Sequence, residues 1–205
     1  RVYLDFEAFS RPIPPFVGGR PWEFVPTQYS MQVHPAPEAP VSTYDYIMPP
    51  GDDRRAELAE YLLTHAGRPG SVVVYSAQFE RSVLSGLAHV LPGRAADLEY
   101  VRGSIVDLLE LFKGFLYYNP RQGGRVSLKR VLPALTGEDY SGLEVQDGLG
   151  ASVLYQRLAF DEPCSFSEAE KEKACADLVS YCRQDTQAMV RIVQELELLV
   201  QHPAT

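Results

Sequence analysis

Residues 1–7 read RVYLDFE, and residues 71–75 read SVVVY. Both are short runs of mainly apolar, β-branched or aromatic residues, which is typical of strands that are buried on both faces of a sheet. Residues 27–34 and 41–47 are also rich in strand-forming residues, and the prolines of HPAPEAP separate them, as in a hairpin-like pair. Strands that come first, followed by a strand between helices, predict an α/β fold with a mixed sheet.

Helical periodicity dominates the rest of the chain. Apolar residues recur there at intervals of three and four, and glycines close the first of the segments. The predicted helices are residues 52–65, 78–91, 107–115, a segment that begins at Ser127, 147–158 and 168–199, with a short strand at 103–106. Helices placed in this way cover the faces of a sheet, so we expect one domain over residues 1–205.

The composition is that of a globular protein in a reducing compartment. Of the 205 residues 45% are hydrophobic, and no apolar run approaches the roughly 18 to 20 residues that span a bilayer. The three cysteines, Cys164, Cys175 and Cys182, have no CxxC spacing, so neither a disulfide framework nor a zinc site is indicated. We expect a cytoplasmic protein without membrane contact. Because RVYLDFE reads as a strand and not as a signal peptide, we expect these 205 residues to be part of a longer protein with a companion domain.

The formal net charge is −8, which argues against a surface that binds nucleic acid everywhere, because such binding needs Lys and Arg against phosphates. Contact with nucleic acid is therefore expected to be local or to run through metal ions. One stretch, YYNPRQGGRVSLKR at residues 117–130, is basic and aromatic, and it suits phosphate contact or base stacking as well as it suits a solvated loop. Arg125 and Lys129 are the candidate substrate contacts in this stretch.

Asp5 and Glu7 form an acidic pair in the first predicted strand. Side chains alternate between the two faces of a strand, so residues two apart point to the same side. Carboxylates on one face of a buried strand are costly unless they are solvated or hold a cation. The pair therefore indicates a metal site, with an ordinary strand end as the alternative.

Tyr181 and Asp185 lie four residues apart in LVSYCRQDTQAMV, within the last predicted helix. Residues at this spacing share one helix face, one turn apart. The two side chains are thus expected to act at one place.

Three segments, LDFE, YSAQFE and YCRQD, resemble in order the three exonuclease motifs of the tyrosine branch of the DEDD superfamily, which includes ribonuclease D-like enzymes and the proofreading domains of some polymerases. In the second motif Ser76 stands where Asn is common, and Glu80 stands where an aspartate is usual. Longer segments, among them YSAQFERSVL and SLKRVLPAL, resemble a bacterial family of predicted nucleases that forms a domain of unknown function.

The resemblance implies a ribonuclease H-like fold, a central mixed sheet with helices on both faces, and 3′-to-5′ exonuclease activity on DNA or RNA with single-stranded or 3′-end nucleic acid as the partner. It also implies two divalent cations, Mg²⁺ or Mn²⁺, held by Asp5, Glu7, Glu80 and Asp185. Asp5 would bridge both ions, and Tyr181 would orient the attacking water. A phenol with a pKa near 10 is a poor base at neutral pH, so positioning is the expected role of Tyr181.

Other residues leave alternatives open. Asp107 is the second candidate for the fourth carboxylate, although an acid in the first turn of a helix is also explained as a cap. Gln28 is a candidate contact for a nucleotide or a metal-bound water, against a glutamine at the surface or the sheet edge. For the whole chain, the alternatives to an active nuclease are a degenerate interaction module of the same fold and a phosphoesterase for small nucleotides.

Overall fold

A computed structural model of the chain describes residues 1–36, 39–145, 147–161 and 165–201. Cys164, one of the three cysteines considered above, lies outside these residues.

Five strands form one sheet in the order β3-β2-β1-β4-β5. They are β1 (Val2–Phe9), β2 (Val25–Val33), β3 (Ser42–Ile47), β4 (Val72–Val74) and β5 (Ile105–Asp107). The strands β1, β2 and β3 pair antiparallel, whereas β4 is parallel to β1 and β5 is parallel to β4.

Seven α-helices lie within the described ranges. They are α1 (Arg55–Ala66), α2 (Ala77–Val90), α3 (Ala95–Gly103), α4 (Leu109–Lys113), α5 (Leu128–Thr136), α6 (Gly148–Phe160) and α7 (Glu168–Gln201). No helix in the described part of the chain is both long enough and apolar enough to cross a membrane.

Alternation along β1 sends successive side chains into two different cores. Val2, Leu4 and Phe6 pack with α1, α2 and α3 on one face. Tyr3, on the other face, belongs to a cluster with α4, α5 and α7. The predicted mixed α/β architecture, with helices on both faces of the sheet, is confirmed. Asp5 and Glu7 alternate with Leu4 and Phe6, and they therefore lie on the α7 face.

Most predicted boundaries shift by a few residues, and two elements differ more substantially from the prediction. The helix α3 was missed, because its segment AADLEYVRG buries only Leu98 and Val101 and so gives a weak apolar pattern. The predicted helix 107–115 is shorter, because Asp107 is the last residue of β5, where it pairs with Val74.

A row of buried polar side chains on β2 attaches α7 to the sheet. Gln28 Nε2 donates to the Leu178 carbonyl at 3.1 Å. Ser30 Oγ lies 2.9 Å from Thr186 Oγ1, and Gln32 Nε2 donates to the same hydroxyl at 3.2 Å. Hydrogen bonds between buried groups are directional, so this row fixes where α7 lies along β2.

The position of Gln28 corrects the alternative of a surface or sheet-edge residue. Gln28 lies on β2, which has neighbours on both sides, and it is 1% exposed. It is the cross-strand partner of Glu7. The bond from Nε2 to Leu178 holds α7, and the contact of Gln28 with a nucleotide or a metal-bound water stays a prediction.

Thr186→Val tests this attachment. Thr186 is fully buried, and its hydroxyl also donates to the Arg183 carbonyl at 2.9 Å. The substitution keeps the shape but leaves Ser30 and Gln32 without their partner, so the free energy of unfolding should fall by about 1 to 3 kcal/mol in urea denaturation.

The matched control is Thr64→Val, because the Thr64 hydroxyl is exposed and bonds only within α1, to the Glu60 carbonyl. This control should change stability by less than about 0.5 kcal/mol. Equal losses in the two variants would contradict the role given to the polar row.

Candidate metal centre

Asp5, Glu7 and Asp185 converge in the folded chain. One carboxylate oxygen from each lies within 4.8 Å of the others. Asp5 and Glu7 are half-buried on β1, and Asp185 on α7 is 8% exposed. Residues 180 positions apart in sequence are thus brought together by the packing of α7 across β1 and β2.

The contact between α7 and β1 is direct at Asp5. The buried Cys182 thiol lies 3.4 Å from the Asp5 carbonyl oxygen and 3.4 Å from Asp5 Oδ2. Cys182 precedes Asp185 by one turn, so it shares the face that meets the strand.

A register irregularity in the β1–β2 ladder falls between Glu7 and Ala8. Bulges of this kind redirect side chains at the end of a strand.

The acids are electrostatically strained. Burial, followed by repulsion from Asp185, raises the pKa of Glu7 to about 8. Burial also raises the pKa of Asp185 to about 6, although the hydroxyl of Tyr140 and the charge of Lys129 oppose this rise. The pKa of Asp5 is raised well above its usual range by burial and then by Asp185, Glu80 and Glu7. Each carboxylate is thus held near others in a site that disfavours negative charge.

Tyr140 and Lys129 complete the surroundings of Asp185. The Tyr140 hydroxyl donates to Asp185 Oδ1 at 2.6 Å. Lys129 Nζ lies 5.3 Å from the centroid of the Tyr140 ring and 5.0 Å from that of Tyr181. Lys129 was selected from the sequence for its charge. Tyr140 was not selected, because it lies in the loop between α5 and α6 and no local pattern links it to α7.

Tyr181 is 4% exposed and lies on the same face of α7 as Asp185. Burial, and then the neighbouring carboxylates, raise its pKa. The phenol therefore remains protonated at neutral pH, where it can donate and accept hydrogen bonds but cannot remove a proton.

Glu80 lies beside this cluster. It is 1% exposed, and its pKa is raised well above the usual range, chiefly by burial and against a hydrogen bond from the Phe6 backbone N–H. That N–H is accessible because β4 pairs with β1 only at Val2 and Tyr3. The second oxygen, Oε2, is buried without a hydrogen-bond partner among the described residues.

Asp107 has a different environment. Its carboxylate accepts hydrogen bonds from the backbone N–H groups of Ser76 at 3.0 Å, Ala77 at 2.9 Å and Leu109 at 3.0 Å. Ser76 has a φ of 82°, which an L-residue seldom adopts. Asp107 thus caps the start of α4, as one of the two interpretations predicted. It also holds the turn into α2, which was not predicted.

The donor set fits hard divalent cations. Asp5, Glu7 and Asp185 offer only oxygen atoms, as Mg²⁺ and Mn²⁺ prefer. The unpartnered Oε2 of Glu80 is a further buried acceptor, on a side chain that interacts electrostatically with Glu7 and Asp185. A bound cation would relieve the repulsion that raises the pKa values of these groups.

The fold and the carboxylate cluster together define an α/β protein with a candidate cation site beside the central strand of its sheet. The family model described as Domain of unknown function (DUF2779) matches residues 2–127, more than half of the chain, and the chain belongs to this family. The match includes Asp5, Glu7 and Glu80 and ends before Tyr181 and Asp185. No curated protein and no solved structure matches the chain.

The raised pKa values predict how stability depends on pH without metal. Glu7 and Asp185 titrate at about 8 and about 6 in the folded protein, above the ordinary carboxyl values of 4.5 and 3.8. The folded state therefore binds more protons than the unfolded state in this interval, and the free energy of unfolding should fall as the pH rises from about 4 to about 8 in EDTA.

Asp185→Asn should flatten the lower part of this curve and raise the free energy of unfolding at pH 8 by about 1 to 3 kcal/mol. Glu172→Gln, at an exposed position of the same helix, should leave the curve of the parent protein unchanged. Denaturation curves in EDTA that do not vary between pH 5 and 8 would contradict the assigned strain.

Proposed function

We propose that this chain is a metal-dependent 3′-to-5′ exonuclease of DNA or RNA with a ribonuclease H-like fold. The observation that carries the proposal is the convergence of Asp5, Glu7 and Asp185, with Tyr181 one turn before Asp185 on the same helix. The mixed sheet with helices on both faces also agrees with the architecture that the motif resemblance implies. The convergence of three of the four implied carboxylates is what supports the proposal.

When bound, two Mg²⁺ or Mn²⁺ ions would supply activation of the attacking water and stabilisation of the leaving oxygen. Asp5, Glu7, Asp185 and Glu80 would hold them. The protonated hydroxyl of Tyr181 would orient the water, and Lys129 would face the negative charge of the scissile phosphate. Tyr140 would keep Asp185 in one orientation through its bond to Oδ1.

Incubation of the protein with end-labelled single-stranded DNA and RNA in Mg²⁺, Mn²⁺ or EDTA tests the proposal. The expected result is a ladder that shortens from the 3′ end with either metal and is absent in EDTA. Binding without cleavage in every metal would favour the degenerate interaction module. Hydrolysis of mononucleotide esters alone would favour the small-nucleotide phosphoesterase.

Tyr181→Phe should lower turnover by about 10- to 1000-fold while metal affinity stays nearly the same, because the hydroxyl positions water and does not hold the cation. Single-turnover kinetics and Mn²⁺ titration measure the two quantities separately. The reference variant is Tyr100→Phe, which removes the hydroxyl of an exposed residue on α3, a helix on the face of the sheet opposite α7. Loss of Mn²⁺ affinity in Tyr181→Phe, with turnover unchanged at saturating metal, would refute the positioning role.

Glu80→Gln and Asp107→Asn decide which acid completes the set. Glu80→Gln should reduce activity in Mg²⁺, and excess Mn²⁺ should restore part of it, since one ligand is weakened. Asp107→Asn should lose about 1 kcal/mol of stability, because an amide nitrogen cannot accept the Ala77 N–H, and its folded fraction should keep its activity. Wild-type activity in the first variant and none in the second would transfer the role to Asp107.

A further inference from the structure

The charge of the chain is unevenly distributed. Residues 111–137 contain five Lys and Arg and no Asp or Glu, whereas the whole chain has 19 Lys and Arg and 27 Asp and Glu. The other 178 residues therefore carry 14 basic side chains against 27 acidic ones. A basic region of this kind in an acidic protein concentrates polyanions locally.

The backbone of this region is held in place. Asn119 and Gln122 form a reciprocal capping box around the short 3-10 helix Pro120–Gln122, and the buried Gln122 also donates to the Arg125 carbonyl at 3.3 Å. The Tyr75 hydroxyl, directly after β4, donates to the Val126 carbonyl. Arg121 and Arg125 thus project from an ordered turn that is joined to the sheet.

The arginines of this basic region have no acidic partner among the described residues. Within the described residues no ion pair includes Arg121, Arg125 or Arg130, and all three are exposed. Elsewhere, Arg55 is paired with Asp53 and Glu23. The guanidinium groups on this surface are therefore available for phosphate contacts.

Apolar and aromatic side chains are exposed in the same region. Phe115 is 70% exposed, Leu116 77% and Tyr118 42%, while Tyr117 between them packs inward. The rings of Phe115 and Tyr118 lie 5.8 Å apart. Phe115 has a φ of 53°, so the backbone adopts a costly conformation while presenting this ring to solvent.

We propose that residues 113–130 form a binding surface for single-stranded nucleic acid, with Arg121 and Arg125 against phosphates and Phe115 and Tyr118 stacking on bases. This inference deepens the proposed function and rests on it for the statement that the bound strand is the substrate. Arginines without acidic partners and exposed aromatic rings together match a single strand. Its phosphates can contact the arginines, and its unstacked bases can stack on the rings. The surface adjoins the candidate metal centre at Lys129, because Lys129 Nζ lies 5.0 Å from the centroid of the Tyr181 ring.

The test is fluorescence anisotropy of labelled oligothymidylate and oligouridylate with the whole chain in EDTA, where hydrolysis does not occur. Arg121→Ala and Arg125→Ala should each reduce the slope of the logarithm of the binding constant against the logarithm of the salt concentration by about 0.7. Phe115→Ala should weaken binding about tenfold, and Phe115→Tyr, which keeps an aromatic face, should bind like the parent protein. The two probes together show whether the surface prefers DNA or RNA.

Arg68→Ala is the matched control, since Arg68 is exposed and precedes β4, at the opposite end of that strand from Tyr75. It should leave the salt slope unchanged. The proposed binding surface would be contradicted if the Arg121, Arg125 and Phe115 variants bound like the parent protein. It would also be contradicted if the parent protein bound duplex and single strand equally. Hydrolysis of a single-stranded oligonucleotide in Mn²⁺ is measured in parallel with the parent protein and with Arg68→Ala, and the two rates should be equal. Absence of that hydrolysis together with retained single-strand binding would count against the proposed function and support the surface.

Discussion

The attachment of α7 to β2 is the constraint on which the candidate site depends. Asp5 and Glu7 are placed by β1, but Asp185 reaches them only because α7 crosses the sheet in one register. Thr186 is the residue after Asp185, and its hydroxyl is fixed by Ser30 and Gln32. A buried polar network of this kind tolerates few alternative arrangements, because each displaced group would lose its hydrogen bond inside the protein.

The candidate site brings carboxylates that repel one another close together. Packing α7 onto β1 removes water from the carboxylates, and this burial is the largest cause of their raised pKa values. Tyr140 and Lys129 offset part of it at Asp185. The turn at Ser76, held by Asp107, begins the helix that carries Glu80. Strain of this kind, kept by the surrounding structure, is common where a protein binds or reacts with a ligand.

Periodicity made much of this arrangement predictable. The spacing of Asp5 and Glu7 gave their shared face, and the spacing of Tyr181 and Asp185 gave theirs, since both follow from local geometry. The bond between Tyr140 and Asp185 joins residues 45 positions apart, so no local pattern contains it. For the same reason a surface or sheet-edge position was left open as the alternative for Gln28, whereas its burial results from a helix 150 residues later in the chain. Asp107 was read as a cap of its own helix, whereas its contact with the turn into α2 depends on strand pairing.

The central claim is that Asp5, Glu7 and Asp185 hold divalent cations together. Titration of the metal-free protein with Mn²⁺, followed by electron paramagnetic resonance, tests it most directly, since free Mn²⁺ gives a strong signal and two ions about 3.5 to 4 Å apart interact magnetically. We expect two ions to bind per chain with a spin-coupled signal, and we expect Asp5→Asn to abolish that coupling. Titration in which all Mn²⁺ remains free, or in which Asp5→Asn binds and couples Mn²⁺ like the parent protein, would contradict the account.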